Sequence, residues 1–359
     1  MGKHVYEVAI LSGDGIGPEV IEAALSVLNV SAAAAGVSLQ YTQYEAGAAL
    51  YKRTGVSMSE ADMDAVGKAD AILLGAMGLP SIRKDDGTEI APQIDLRERY
   101  GLFASLRPCK LYPGVPTRIK AENIDMLVIR ETTEGLFAGR HDEQAPSDIA
   151  VSDRLTITRA TSEKLFKLAF EQARLRRTKY GTPGHVTLLD KANVLRSNAF
   201  MRKVFDEVAL QYPDIATDRL YIDAGSMMFV TNPERYDVVV TENVFGDITS
   251  EIAAGIVGGL GVAPSGDVSQ DHGIFQPSHG SAPDIAGRGC ANPVATILSA
   301  AMLMDWLADR HEDERCAVVA TSIRRATATV LENGPRTADL GGSARTKDVT
   351  DAVINALAL

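Results

Sequence analysis

"LSGDGIGPEV" (residues 11–20) decides between two kinds of α/β protein. It follows the apolar run Val5–Leu11, which reads as a strand, and precedes a helical pattern over Glu19–Ala35. Val20, Ile21, Ala24, Leu25 and Leu28 fall on one face of that helix, and Pro18 suits its first turn. A glycine-rich turn between strand and helix is where a Rossmann fold holds a pyrophosphate. Here the spacing is G-x-G-x-G rather than G-x-G-x-x-G, so the stretch does not meet the Rossmann fingerprint.

Outward from this stretch, short apolar runs alternate with helical patterns. Ala71–Leu74, Met126–Ile129, Leu155–Thr158, Val186–Leu189, Leu220–Ile222 and Val238–Thr241 read as strands. Several are apolar throughout, as strands covered on both faces are. Helices fit Ser162–Arg177, Ser197–Tyr212, Phe245–Val257, Pro293–Ala308, Ala317–Glu332 and Lys347–Leu357. The alternation predicts an α/β protein with a mainly parallel sheet. The glycine-rich stretch 253–267 reads as the loosest segment and as a hinge or lobe crossing.

The chain has 359 residues, enough for two lobes, and its net charge of −11 argues against nucleic-acid and anionic-membrane partners. An anionic substrate would need a local arginine cluster to reverse that field. Three cysteines without a C-x-x-C motif fit a reducing cytoplasm better than a disulfide framework. No secretory pattern is evident at the N-terminus, and Val294–Leu307 is too short to span a bilayer and contains Asp305.

Four constellations carry chemistry. Arg97 and Arg107 lie ten residues apart, and Arg130 closes the strand "DMLVIR". Convergent, their planar forks would grip a di- or tricarboxylic acid; apart, they are three surface ion pairs. Asp247 and Glu251 in "TENVFGDITSE" share a helix face one turn apart, which suits Mg²⁺ or Mn²⁺ or else a solvated acidic face. Asp223, closing "RLYID", is a third acid after a strand, and Lys191 follows the strand Val186–Leu189. A lysine beside a bound cation can act as a general base; alone it is a strand-end lysine in water. The small residues of "SHGSAPDIAGRGCANP" (278–293) would let a backbone approach a phosphate, or form a flexible loop. Asp284 there would accept from ribose hydroxyls and repel a 2′-phosphate.

Together with "LRP", "VIRETTEG", "DKANVL" and "RTADLGG", these stretches resemble the β-decarboxylating dehydrogenase family of isopropylmalate, isocitrate, homoisocitrate, tartrate and D-malate dehydrogenases. The resemblance spans nearly the whole chain. It implies a two-lobed isopropylmalate-dehydrogenase-like α/β fold, distinct from the Rossmann fold. Residues 1–101 plus 258–359 would form a discontinuous cofactor lobe, and 102–257 a lobe for substrate, metal and dimerisation. It implies a homodimer with shared active sites, using NAD and Mg²⁺ or Mn²⁺. Arg97, Arg107 and Arg130 would hold the acid's carboxylates, and Asp247 and Glu251 the metal, with Asp223 from the other subunit. Lys191, also from the other subunit, would be the base. His279, Gly280, Ser281, Ala282, Asp284, Ile285 and Asn292 would hold the cofactor, with Asp284-Ile285 favouring NAD over NADP.

The chain departs from the family pattern at several positions. Phe137 stands where the family has a tyrosine that protonates the enolate carbon, and phenylalanine has no proton to give. Glu251 replaces the usual aspartate, and Gln276 a common glutamate. Ahead of Arg97, Ala91 replaces the serine of isocitrate enzymes. Gln93-Ile94 replaces the leucine pair of isopropylmalate enzymes, and a buried amide such as Gln93 needs a polar partner. These departures favour a tartrate- or malate-like acid, oxidised at C2 with or without decarboxylation. The alternatives are 3-isopropylmalate dehydrogenase and a non-catalytic binding homologue. If Phe137 is compensated, Tyr100 and His141 are candidate proton donors.

Overall fold

The computed structural model describes residues 5–121, 123–140 and 149–357, so His141 lies outside the described residues. In chain order the strands are β1 (Tyr6–Gly13), β2 (Leu39–Gln43), β3 (Ala71–Ala76), β4 (Ala104–Lys110), β5 (Asp125–Glu131), β6 (His185–Asp190), β7 (Ala216–Tyr221), β8 (Val238–Thr241), β9 (Pro264–Val268) and β10 (Gly273–Pro277). The helices are α1 (Gly17–Ala34), α2 (Ala48–Thr54), α3 (Glu60–Val66), α4 (Pro92–Arg99), α5 (Arg159–Tyr180), α6 (Arg196–Ala209), α7 (Ile222–Thr231), α8 (Asn243–Ile256), α9 (Val294–His311), α10 (Glu314–Asn333) and α11 (Thr346–Leu357). The chain divides into two compact units: residues 1–100, 111–118 and 257–359, and residues 101–110 and 119–256.

In the first unit the strand order is β2-β1-β3-β10-β9, with only the β10–β9 pair antiparallel. Every residue of β3, β9 and β10 is buried, which explains their lack of polar–apolar alternation. α1 has Pro18 and Glu19 in its first turn, and buries Val20, Ile21, Ala24, Val27 and Leu28. α9 is buried on nearly every side and packs on α1, α10, β9 and β10.

In the second unit the order is β4-β5-β8-β6-β7, with only the β4–β5 pair antiparallel. Phe166 and Phe170 of α5 meet Phe205 of α6 at ring-centroid distances of 5.1 and 5.5 Å. Truncating one of these fully buried rings costs about 3–5 kcal/mol. The outer faces of α7 and α8 carry Met227, Val230 and Ile248, each more than half exposed.

Two expectations change. Leu155–Thr158 forms no strand, only a single bridge between Gly135 and Thr156. The Glu134 carboxylate accepts from the Thr158 N–H and hydroxyl, and Thr158 caps α5, so the segment leads into a helix. The stretch 253–267 is not loose throughout: it ends α8, turns at Gly258 and Gly259, and enters the buried strand β9. The division between the units falls within it, at Ile256–Val257.

Candidate active site

In the second unit Arg107 and Arg130 converge. Arg130 ends β5 and is 2% exposed, Arg107 lies on β4 and is 7% exposed, and the strands are antiparallel neighbours. Arg130 donates through Nε and Nη2 to Asn243 Oδ1, at 3.0 and 2.7 Å, and through Nη1 to Asp247 Oδ1. Arg107 donates to Ser250 Oγ at 2.8 Å, and its Nη1 lies 3.6 Å from the same Asp247 oxygen. α8 reaches this close because residue 246 is glycine: a Cβ there would stand 2.6 Å from the Arg130 Cβ. Two buried guanidiniums thus share one carboxylate. Phe137 lies against Arg130, with the guanidinium 5.5 Å from the ring centroid, a cation–π contact.

Asp247 and Glu251 share a face of α8, and both reach solvent. Lys191 follows β6, and its Nζ lies 3.0 Å from Asp223 Oδ1 in the first turn of α7. That ammonium holds the Asp223 carboxyl below its ordinary range. The Lys191 backbone is anchored by Asn198, whose Oδ1 accepts its N–H at 2.8 Å. Among the described residues of one chain, Asp223 does not join Asp247 and Glu251 in a metal-binding group. The donor set is nonetheless all carboxylate, hard oxygen of the kind Mg²⁺ and Mn²⁺ take.

Arg97 belongs to the first unit, in the last turn of α4, with its Nε donating to buried Asp267 at 2.8 Å. Gln93, one turn earlier, holds a buried Oε1 without a hydrogen-bond partner among the described residues. Tyr100 donates its hydroxyl to the Met63 carbonyl and stacks on His272 at 4.5 Å, so that proton is already engaged.

The segment 279–292 also lies in the first unit. His279 Nε2 is buried and unpartnered, and burial lowers its basicity, leaving a neutral ring with an unmet hydrogen bond. Asp284 is exposed, and Asn292 donates to Asp339 at 2.9 Å. Glycines 280, 287 and 289 have open space where a Cβ would be, so the backbone is approachable there. An unmet buried nitrogen beside an open backbone fits a bound dinucleotide.

The opening stretch braces this segment. The Ile16 N–H donates to the Ser281 carbonyl at 2.8 Å, and at Gly15 (φ +59°) a Cβ would stand 1.9 Å from that oxygen. Ile16 packs against Ala282, Ile285 and Ala286. Glu19 accepts from the Gly289 and Ala291 N–H groups, at 3.2 and 2.9 Å, and from the Thr346 hydroxyl. Asp14 accepts from Ala48, Ala49 and Gly78, and the Ser281 hydroxyl donates to the Gly78 carbonyl. Sequence reading missed these roles of Asp14 and Glu19, along with Asn243, Ser250 and Asp267. The proximity of Asn243 and Ser250 to Asp247 on α8 was the one available signal.

Residues 7–353 match the family model described as isocitrate/isopropylmalate dehydrogenase. The chain belongs to that family. It is 40% identical, over 97% of its length and 98% of the relative's, to a 3-isopropylmalate/3-methylmalate dehydrogenase of Methanocaldococcus jannaschii. It is equally identical, over 98% of each chain, to an isocitrate/homoisocitrate dehydrogenase of Thermus thermophilus. The solved isocitrate dehydrogenase of Methylococcus capsulatus superposes with a TM-score of 0.86 at 33% identity, covering 99% of this chain and all of that one. The α/β fold with a mostly parallel sheet is therefore that of the family, and the protein is an oxidatively decarboxylating hydroxy-acid dehydrogenase. The relatives' names favour the isopropylmalate alternative over a tartrate- or malate-like substrate. No helix among the described residues is long and apolar enough to cross a membrane.

Proposed function

We propose that the protein oxidises the C2 hydroxyl of a 3-alkylmalate, 3-isopropylmalate first, with loss of the β-carboxylate as CO₂. The observation that carries this reading is the pair of buried arginines, Arg107 and Arg130, sharing Asp247 at the start of α8. Their planar forks match the acid's carboxylates, and Arg97 is assigned to the same task. Asp247 and Glu251 would hold the divalent cation, with Asp223 of a second subunit, and the segment 279–292 would hold NAD. Bound there, the cation would supply polarisation of the C2 oxygen and NAD a hydride acceptor. Lys191 takes the proton from the C2 hydroxyl, and its contact with Asp223 aims its Nζ before substrate arrives. Phe137 carries no proton, so water protonates the enolate carbon in place of the family's tyrosine. Asp284, with no positive charge at position 285, favours NAD over NADP.

Met227, Val230 and Ile248 support a homodimer, since an exposed apolar face on adjacent helices suits a second copy. The free cysteines, two of them buried, fit a reducing cytoplasm.

A second reading has its own observation. The unmet buried Oε1 of Gln93 calls for a donor, which a hydroxyl at C3 supplies and an isopropyl group does not. The deciding assay follows NADH and CO₂ in parallel with Mn²⁺ on 3-isopropylmalate, 3-methylmalate, isocitrate, D-malate and tartrate. The proposal expects the highest kcat/KM on 3-isopropylmalate with equal yields of NADH and CO₂. A preference for tartrate would establish the second reading, and no NADH from any acid would overturn both.

A further inference from the structure

Arg97 is 6% exposed, and its two terminal amino groups make no hydrogen bond among the described residues. Its Nε alone is committed, to Asp267 Oδ2 at 2.8 Å. The same oxygen accepts from Gln276 Nε2 at 2.9 Å. Asp267 lies on β9 and Gln276 on β10, where Gln276 pairs with Ser265, so the two are diagonal neighbours on one face of the ladder. The Gln276 carbonyl is pinned by the Ser265 and Ser299 hydroxyls, at 3.0 and 2.8 Å. Asp267 and Gln276 are 1% and 8% exposed. One buried carboxylate is thus clamped between a cation and a neutral amide.

We infer that Asp267 and Gln276 are a matched pair of positioning residues that aim Arg97 at the acid's carboxylate, and that the neutral amide at 276 is a condition of that arrangement. The inference rests on the reading of Arg97 as a substrate-binding residue. A glutamate at 276 would set two carboxylates within hydrogen-bond distance over a single guanidinium Nε, so that the second ionises only at raised pH and then repels the first. The site thus keeps one anion, held on β9.

The test is a double-mutant cycle on the full-length enzyme with its best acid substrate. Losing a hydrogen bond to a charged group is worth roughly tenfold or more. Asp267→Asn is expected to raise KM for the acid about tenfold, with kcat and KM for NAD within about threefold. Gln276→Glu is expected to do the same at pH 8 and less at pH 6, where a proton neutralises one carboxylate. In D267N/Q276E the amide and the carboxylate exchange places, and KM for the acid should return to within about threefold of wild type. A merely structural role would instead move kcat and KM for NAD along with KM for the acid. An unchanged KM in D267N, or a double variant no better than the worse single one, would overturn the inference. Melting temperatures provide a second readout, independent of turnover: each single variant should melt lower and the double variant should regain at least half of the loss. If wild type oxidised none of the acids, the proposed function would fall while the pairing would still be judged by this cycle, with additive losses refuting it.

Discussion

Replacing Glu19 by alanine should weaken cofactor binding although Glu19 has no assigned contact with the cofactor. Its carboxylate accepts two backbone N–H groups of the segment 279–292, at 3.2 and 2.9 Å, and the hydroxyl of Thr346. Bonds to a charged group are worth roughly 1.5–3 kcal/mol each, and water at this partly exposed site returns much of that, leaving about 2 kcal/mol in all. If this energy holds the loop in its binding-competent form, its loss reduces affinity by the fraction of loops still ordered, about 30-fold. The assay is NADH fluorescence titration, with KM for NAD and for the acid measured alongside. The expected result is a Kd for NADH about 30-fold higher, KM for the acid within about threefold, and partial recovery in Glu19→Gln, which keeps one acceptor oxygen. A Kd within twofold of wild type, together with a lower melting temperature, would refute the reasoning and leave Glu19 as a fold-stabilising contact only.

Phe137→Tyr should add a proton donor beside Arg130 and raise the kcat of coupled CO₂ release by roughly tenfold or more; an unchanged ratio of CO₂ to NADH and an unchanged rate would remove position 137 from the protonation step. Burial pushes the Glu131 carboxyl up to about 7, so between the unfolded carboxylate range and pH 7 the folded chain keeps a proton that the unfolded chain has released. Its contribution to stability is therefore complete below about pH 4.5 and lost as pH rises through 7, and the unfolding free energy of wild type relative to Glu131→Gln should fall between pH 5 and 8. A flat difference would contradict that sign. Met227→Glu combined with Ile248→Glu should shift sedimentation from dimer to monomer and abolish turnover, because Asp223 and Lys191 are assigned to the neighbouring subunit's site; an active monomer would contradict that sharing.

The buried strands β3, β5, β6 and β8 were legible because parallel strands covered on both faces are apolar without alternation. β4 and β9 were not, and the reason is functional. "ASLRPCK" carries Arg107 and "PSGDV" carries Asp267, each a buried charge in a strand that ordinary patterning reads as loop. Long amphipathic helices such as α5, α6 and α10 could be read from their period, whereas α2 and α3, of seven residues each, offer too few turns to show one. The same holds at the site. The candidate site residues cluster in motifs, whereas Asp14, Glu19, Asn243 and Asp267 bond to other residues over long sequence separations. Glu19 and Ala291 are 272 positions apart, and Arg97 and Asp267 are 170 apart.

This separation gives the opening stretch its meaning. A Rossmann loop turns its glycines towards the ligand's phosphates. Here Gly15 meets the Ser281 carbonyl, while Asp14 and Glu19 receive the N–H groups of neighbouring loops. The glycines serve the close approach of two protein segments. The strand–loop–helix start at residues 6–34 therefore acts as a buttress for the segment 279–292, far along the chain but adjacent in space. Any side chain at position 15 would stand against the Ser281 carbonyl, and the brace would be broken.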